Sequence, residues 1–206
     1  MKIISSWDDG SIHDLKLSEL LNKYELPGLF YIPWDLEKSK NVSRVGKFLN
    51  RNQCKELSEK FPIGAHGVTH NYLTKIPLAS ASNEIVDSKK HWEDFLGKPI
   101  TSFCYPRGYS NAIIRMMVKN AGYENARTTI VGNLSPGPDP YQTMTTLHVA
   151  IDRIEYRQVS WEIFARQMMA KADENSIFHI FGHSWEIENF GDWDNLENLF
   201  KELTGK

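Results

Sequence analysis

Ile4-Ser5-Ser6-Trp7-Asp8-Asp9-Gly10 is a short apolar strand that runs into two adjacent carboxylates and then a glycine. Adjacent acids at a strand end repel each other, and burying either one without a partner is costly. The glycine lets the chain turn sharply directly after them. Taken alone, the stretch fits an exposed strand-to-helix turn with Asp as a cap as well as it fits a site. As neighbours on an extended chain, Asp8 and Asp9 are expected to point to opposite sides. What the pair does depends on which later turns meet it.

Outward from this stretch, strands and helices alternate. Residues 2–7 read as the first strand, and apolar residues at helical spacing make 12–24 a helix. Residues 29–32 form a short buried strand, 33–50 a long loop and 51–61 a helix. A strand at 62–65 precedes a helix at 79–96, and a strand at 100–105 precedes a helix across 113–121. Residues 123–127 read as a strand, 135–140 as a Pro-Gly loop and 145–151 as an alternating strand. A helix at 158–173, a strand at 177–181 and a last helix capped by Asp192 complete the chain. Such alternation predicts parallel strands with helices outside, as a barrel or an open sheet. No repeat, low-complexity tract or linker interrupts it, so residues 1–206 are expected to form one domain.

Composition bounds the function. The chain has 206 residues, 41% of them hydrophobic, which suits a domain with a sizeable core. A net charge of −2 gives no global attraction for nucleic acid or a charged membrane surface. No apolar run approaches the roughly 20 residues of a membrane span. One lysine precedes the first strand, so no signal peptide is expected. Cys54 and Cys104 make no disulfide framework, and a reduced, cytoplasmic protein is the expectation. Oligomeric state has no signature in the sequence.

The chemistry-bearing residues all follow strands. Asp8 and Asp9 follow the first, His66 and His70 the third, Tyr105-Pro106-Arg107-Gly108 the fourth and His183 the last. In α/β barrels that C-terminal face carries the chemistry. His66-Gly67-Val68-Thr69-His70 holds two imidazoles four residues apart, which a helical turn or tight loop brings to one side. Neutral imidazoles suit Zn, Co, Ni or Fe, and one carboxylate completes a three-ligand site open to water and substrate. The segment has no Glu in its second position, so a base must come from elsewhere, and the Asp8-Asp9 pair can supply both ligand and base. A bare HxxxH segment, without context, is more often structural than metal-binding. His183 suits proton donation near neutral pH. His179, in mid-strand, reads as a core histidine, and His13, His91 and His148 as a turn, a helix face and a strand face. Trp34 and Trp185 are the tryptophans placed near a ligand, where rings stack on sugar faces.

These residues resemble the motifs of the NodB-homology polysaccharide deacetylases, the type of carbohydrate esterase family four. Ser6-Trp7-Asp8-Asp9-Gly10 is similar to their TFDDG motif, and His66 to His70 to their H-[ST]-x-x-H motif. Phe103 to Gly108 resembles their FxYPxG motif, and His183 the histidine of their final motif. The resemblance implies a distorted (β/α)7 barrel and a divalent metal, Zn first, with Co, Ni or Mn as alternatives. It implies Asp9, His66 and His70 as ligands and Asp8 as the base that deprotonates the attacking water. It implies the Arg107 N–H as oxyanion donor, His183 as general acid, and Tyr105 and Pro106 beside the substrate with Trp34 and Trp185. The implied activity is hydrolysis of an N-linked acetyl group on an amino sugar or glycan. The alternatives are a deformylase or amidase acting on a small non-polysaccharide amide, and a non-catalytic glycan-binding domain.

The sequence departs from the family pattern in three places. Cys104 stands where many members have an arginine that pairs with the base, and Arg127 or Arg153 is the expected substitute. Gly67 replaces the expected Ser or Thr. The Asp-x-x-Asp-Trp motif that orients the acid histidine is absent from 130–157, where Asp152 is the nearby candidate.

Overall fold

The computed structural model describes residues 1–39 and 42–206. Its centre is one parallel sheet. The strands are β1 (Lys2–Asp8), β2 (Leu29–Ile32), β3 (Ile63–Ala65), β4 (Ser102–Cys104), β5 (Asn125–Arg127), β6 (Leu147–His148) and β7 (Ile177–Gly182). They lie in the order β5-β4-β3-β2-β1-β7-β6, every paired neighbour parallel. Around them pack α1 (Asp14–Lys23), α2 (Val42–Val45), α3 (Arg51–Lys60), α4 (Leu78–Leu96) and α5 (Ala112–Asn120). The later helices are α6 (Trp161–Lys171), α7 (Ser184–Phe190) and α8 (Trp193–Thr204). This is the expected distorted (β/α)7 barrel. The sheet curls, and the strand ladder stops at β5 on one side and β6 on the other. Between those edges the 143–146 segment bonds back to 126–133, with Thr143 N–H on the Ala126 carbonyl at 2.9 Å and Thr145 N–H on that of Ile130 at 2.8 Å.

Register assembles the site. Trp7 lies opposite Gly182, so Asp8 and His183, each one residue on, become neighbours. Ala65 lies opposite Phe103, which sets His66 beside Cys104, and Cys104 lies opposite Arg127. The core beneath this rim includes Trp7, Phe30, Ile85, Phe103, Ile180 and Phe181, all fully buried. Gly10 is at φ 69, where a Cβ would meet Ile32 Cγ2 at 2.7 Å, so the turn after the acids requires glycine.

Four expectations are corrected. The strand at 145–151 is only two residues long. The Tyr156 hydroxyl donates to the His148 carbonyl (2.9 Å) and accepts from the His148 N–H (2.7 Å), so the edge is capped by a side chain and cannot ladder further. Ala150 then turns the chain at φ 64. Asp192 sits at the N-cap of α8 but makes no side-chain cap; it accepts from Trp161 Nε1 and Asn195 Nδ2 instead. Helix α7 was not expected, because its seven residues are too few to display a periodicity. Residues 33–50, expected as a loop, contain α2, and positions 40 and 41 of that stretch lie outside the described residues.

Candidate active site

Strand β1 delivers both acids, buried, to the rim. The extended-chain argument does not hold at Asp9: the residue is at φ 81, and its N–H donates to the Tyr31 carbonyl at 3.1 Å. The two carboxylates diverge because the backbone turns there. His70 (φ 58) and Arg107 (φ 63) share this unusual backbone region. Non-glycine residues held there cost about 1–3 kcal/mol each and concentrate at functional sites.

Asp9, His66 and His70 converge. One ligand atom from each lies within 4.8 Å of the others, with Asp9 Oδ1 3.7 Å from His66 Nε2 and 3.3 Å from His70 Nε2. The donor chemistry fits a divalent ion. The His66 Nδ1–H donates to the Cys104 carbonyl at 2.7 Å, and since a carbonyl only accepts, the proton is on Nδ1 and the Nε2 lone pair faces Asp9. Burial lowers the pKa of His66, and burial with the neighbouring His66 lowers that of His70 to about 3, so both imidazoles are neutral. Trp185 Nε1 donates to Asp9 Oδ2 at 3.1 Å, which leaves Oδ1 turned to the histidines.

The loop that carries the two histidines is held by Glu84 of α4, which the sequence reading missed. Its carboxylate accepts from the Val68 and Thr69 N–H groups (2.8 Å each), the Thr69 hydroxyl (2.6 Å) and Asn71 Nδ2 (3.0 Å). Gly67, at φ 75, is the position where the resemblance expects a hydroxyl side chain. A Cβ there would meet Glu84 Oε2 at 2.8 Å, so the buried glutamate occupies the space that side chain would need. An acid 17 residues beyond the glycine, on an amphipathic helix, carries no local signal of this.

Asp8 is the acid set apart. Arg127, at the end of β5, donates to its Oδ2. Cys104 Sγ lies 3.7 Å from the same oxygen and 2.9 Å from the guanidinium. Arg127, not Arg153, therefore replaces the expected arginine, reaching across the small Cys104 side chain with its guanidinium 4.6 Å from the Phe181 ring centroid. Arg153 instead lies 3.3 Å from Glu155. Burial alone would raise the Asp8 pKa, but Arg127 first, then His66 and His183, outweigh it and hold the carboxyl at about 2. Its Oδ1 is buried and accepts no hydrogen bond from the described residues.

His183 closes the far side, its Nε2 3.9 Å from Asp8 Oδ2 and 3.8 Å from Asp9 Oδ2. Its Nδ1–H donates to Glu186 at 2.6 Å, and His148 Nε2–H donates to the same oxygen at 3.1 Å. Burial would strip the proton from His183; Glu186, Asp9 and Asp8 outweigh it and raise the pKa to about 10. Glu186 thus stands beside His183 where Asp152 was expected; the Asp152 carboxylate instead accepts from the Trp161 N–H at the start of α6 at 2.8 Å. The His183–Glu186 spacing of three residues on a helical turn was the available signal. His148, read as an ordinary strand residue, belongs to this cluster and stacks on Phe181 at 4.3 Å. His179 contacts the Ser6 hydroxyl at 2.9 Å, as a satisfied core histidine does.

Tyr105, Arg107 and Trp185 line the cavity with these residues, together with Tyr72 and Tyr109. Trp34 does not line it: the ring packs on Trp92, Phe95 and His91 beneath the Arg51 guanidinium. Its backbone N–H, donating to the Gly67 carbonyl at 3.0 Å, steadies the histidine loop instead. Pro106 is buried beneath the loop, its ring 3.7 Å from where a Gly67 Cβ would stand.

Comparison with known proteins bears on this geometry. The family model described as "Polysaccharide deacetylase" matches residues 2–126. A peptidoglycan-N-acetylglucosamine deacetylase of Bacillus cereus is 28% identical over 129 residues, 60% of this chain and 54% of the relative. The chain therefore spans about half the length of that curated relative. Among solved structures, a family 4 carbohydrate esterase from Streptomyces lividans in complex with acetate superposes with a TM-score of 0.64 at 14% identity, covering 98% of this chain and 89% of the other. A family 4 pseudoenzyme from Bacillus anthracis gives 0.61 at 14% identity, over 98% of this chain and 61% of the other. At these identities the superpositions show the fold alone.

Proposed function

Because this chain belongs to the polysaccharide deacetylase family, we propose that it is a metal-dependent hydrolase that removes an N-linked acetyl group from an amino sugar or glycan. The observation that carries the reading is the convergence of Asp9, His66 and His70 beside a second, ionised carboxylate with one open oxygen. Asp9 Oδ1 and the His66 and His70 imidazoles would hold a divalent ion, with Zn the first candidate for two neutral imidazoles and one carboxylate and Co, Ni or Mn next. Bound there, the ion supplies Lewis-acid polarisation of the acyl carbonyl and acidifies the attacking water.

The remaining work falls to the chain's own side chains and one backbone N–H. Asp8 takes the proton from water through Oδ1 while Arg127 holds its other oxygen. A carboxyl held near pKa 2 is a weak base, so what Asp8 contributes is full ionisation and a fixed position. The Arg107 N–H donates to the oxyanion as it forms. His183, protonated and oriented by Glu186, delivers the Nε2 proton to the leaving nitrogen. Trp185, half-buried at the cavity wall, offers ring surface to the sugar, whereas Tyr105, expected beside the substrate, is fully buried with its ring on Phe103 and its hydroxyl donating to the Tyr141 carbonyl at 2.8 Å. A cytoplasmic setting is part of this reading; both cysteines are free and buried, as a reducing compartment allows. Among the described residues, no helix is long and apolar enough to cross a membrane.

A pseudoenzyme on the same fold makes glycan binding without hydrolysis the second reading, and Asp8 separates the two. Asp8→Asn is expected to retain the metal and the sugar yet release acetate at least about 100-fold more slowly. Asp9→Ala, His66→Ala and His70→Ala are expected to lose metal and activity together. Metal analysis with acetate-release assays checks both. If the parent protein binds metal and glycan but frees no acyl group from any N-acylated sugar, the binding reading replaces the hydrolytic one.

A further inference from the structure

Glu186 is a shared acceptor. Its Oε2 takes the His183 Nδ1–H at 2.6 Å and the His148 Nε2–H at 3.1 Å, and the two rings stand edge to face with centroids 5.4 Å apart. Burial would raise the Glu186 pKa; His183 and His148 outweigh it and hold the carboxyl low, so it is ionised and only accepts. His148 itself is held firmly. The Tyr156 hydroxyl bonds both its backbone N–H and its carbonyl, and its buried ring stacks on Phe181 with planes 18° from parallel.

Arg153 decides which nitrogen of His148 carries the proton. Its Nη1 lies 3.4 Å from His148 Nδ1. A guanidinium only donates, so Nδ1 is the acceptor and the proton is on Nε2, facing Glu186. Burial lowers the His148 pKa, opposed by Glu186, and the ring stays neutral. Glu155 keeps the guanidinium in place, with one oxygen 3.3 Å from Nε and the other 3.3 Å from Nη2. In the other tautomer the Nδ1–H would face a donor and the Nε2 lone pair a carboxylate, two repulsive contacts in place of two hydrogen bonds.

We propose that His148 is a positioning residue for the general acid: its Nε2–H, held in that tautomer by Arg153, pins the Glu186 carboxylate, which in turn keeps the His183 ring turned with Nε2 toward Asp8 and Asp9. This rests on the reading of His183 as the acid and deepens it. A carboxylate with one donor is free to rotate about its side-chain torsions. With donors from β6 and from the turn after β7, Glu186 has one place to stand, and His183 Nε2 stays 3.9 Å from Asp8 Oδ2 and 3.8 Å from Asp9 Oδ2.

The test compares two substitutions in the metal-loaded full chain. His148→Phe keeps a ring to stack on Phe181 but has no donor, whereas His148→Gln carries an amide N–H close to the place of Nε2. His148→Phe is expected to lower kcat about 10- to 100-fold with KM and metal content little changed, and His148→Gln to recover most of that loss. Nitrogen NMR of the histidines supplies a readout independent of turnover, and it holds even where His148→Phe fails to fold. The parent should show His148 protonated at Nε2 alone, and Arg153→Met should admit the Nδ1–H form. The His183 Nδ1–H signal should move in His148→Phe and much less in His148→Gln. Full turnover in His148→Phe, equal impairment of the two variants, or a loss confined to KM or metal content would overturn the inference. So would an Nδ1-protonated His148 in the parent, or a tautomer indifferent to Arg153→Met. Acetate release by the parent is measured separately; its failure removes the hydrolase reading, while the NMR arm still decides whether His148 orients the His183 ring.

Discussion

Arg127 and Asp8 form a buried ion pair that joins the end of β5 to the end of β1, passing Cys104 at the end of β4. Both side chains are almost wholly out of water, so each is the other's main compensation for lost hydration. The pair also fixes which oxygen of Asp8 stays open.

Breaking the pair from the arginine side should be costly. Arg127→Leu leaves Asp8 buried without its cation and is expected to lower stability by about 3–5 kcal/mol. Arg127→Leu combined with Asp8→Ala should recover part of that loss. Denaturant melts of the two singles and the double form the cycle, and an additive result would mean that the two side chains do not stabilise each other.

Glu84 should matter to the metal without touching it. Glu84→Gln keeps the shape but weakens the acceptor for the Val68 and Thr69 N–H groups and is expected to reduce metal affinity about 10- to 100-fold. Gly67→Ser, although it restores the residue type the family motif expects, should lower affinity too, because the new side chain meets Glu84. Titration of the metal into the apo-proteins measures both, and unchanged affinity in Gly67→Ser would show that Glu84 yields easily.

Removing the His183 side chain and removing its orientation should differ in size. His183→Asn is expected to lower turnover by about 10²- to 10⁴-fold with metal content intact. Glu186→Gln keeps His183 and should cost less, with KM little changed. Steady-state kinetics with metal analysis checks this, and a Glu186→Gln enzyme at full turnover would assign the orientation of His183 to other contacts.

Asp14 gives the chain a pH signature outside catalysis. Burial raises its pKa well above 3.8, opposed by a hydrogen bond from the Ser184 hydroxyl at 2.6 Å and reinforced by Asp9 and Asp8. A carboxyl whose folded pKa is raised gives stability that is fully present below the unfolded value. That stability is lost as pH rises through the folded one. The parent should therefore lose stability relative to Asp14→Asn as pH climbs above 3.8. Denaturant unfolding of the metal-free proteins across pH 4 to 8 measures the gap, and a constant gap would place a charged Asp14 in the fold.

The alternation of strands and helices, and with it which residues stand at strand ends, was legible from the order of the residues alone. That sufficed for Asp8, Asp9, His66, His70 and His183, because a parallel sheet sends every C-terminal strand end to one rim. What it left open were partnerships formed across the rim. The choice of Arg127 over Arg153 depended on Cys104 lying in register with Arg127, so that a guanidinium could pass a small side chain. Glu84 reached the histidine loop from a helix, and the space it needed made position 67 a glycine. Glu186 meets His183 Nδ1 from the first turn of a seven-residue helix whose one local cue was the three-residue spacing, while Trp34 packs against the core and only its backbone N–H reaches the histidine loop. Local pattern encodes where a residue leaves its strand; which side chain then meets it is set by register and packing between segments distant in sequence, and those exist only in the folded chain.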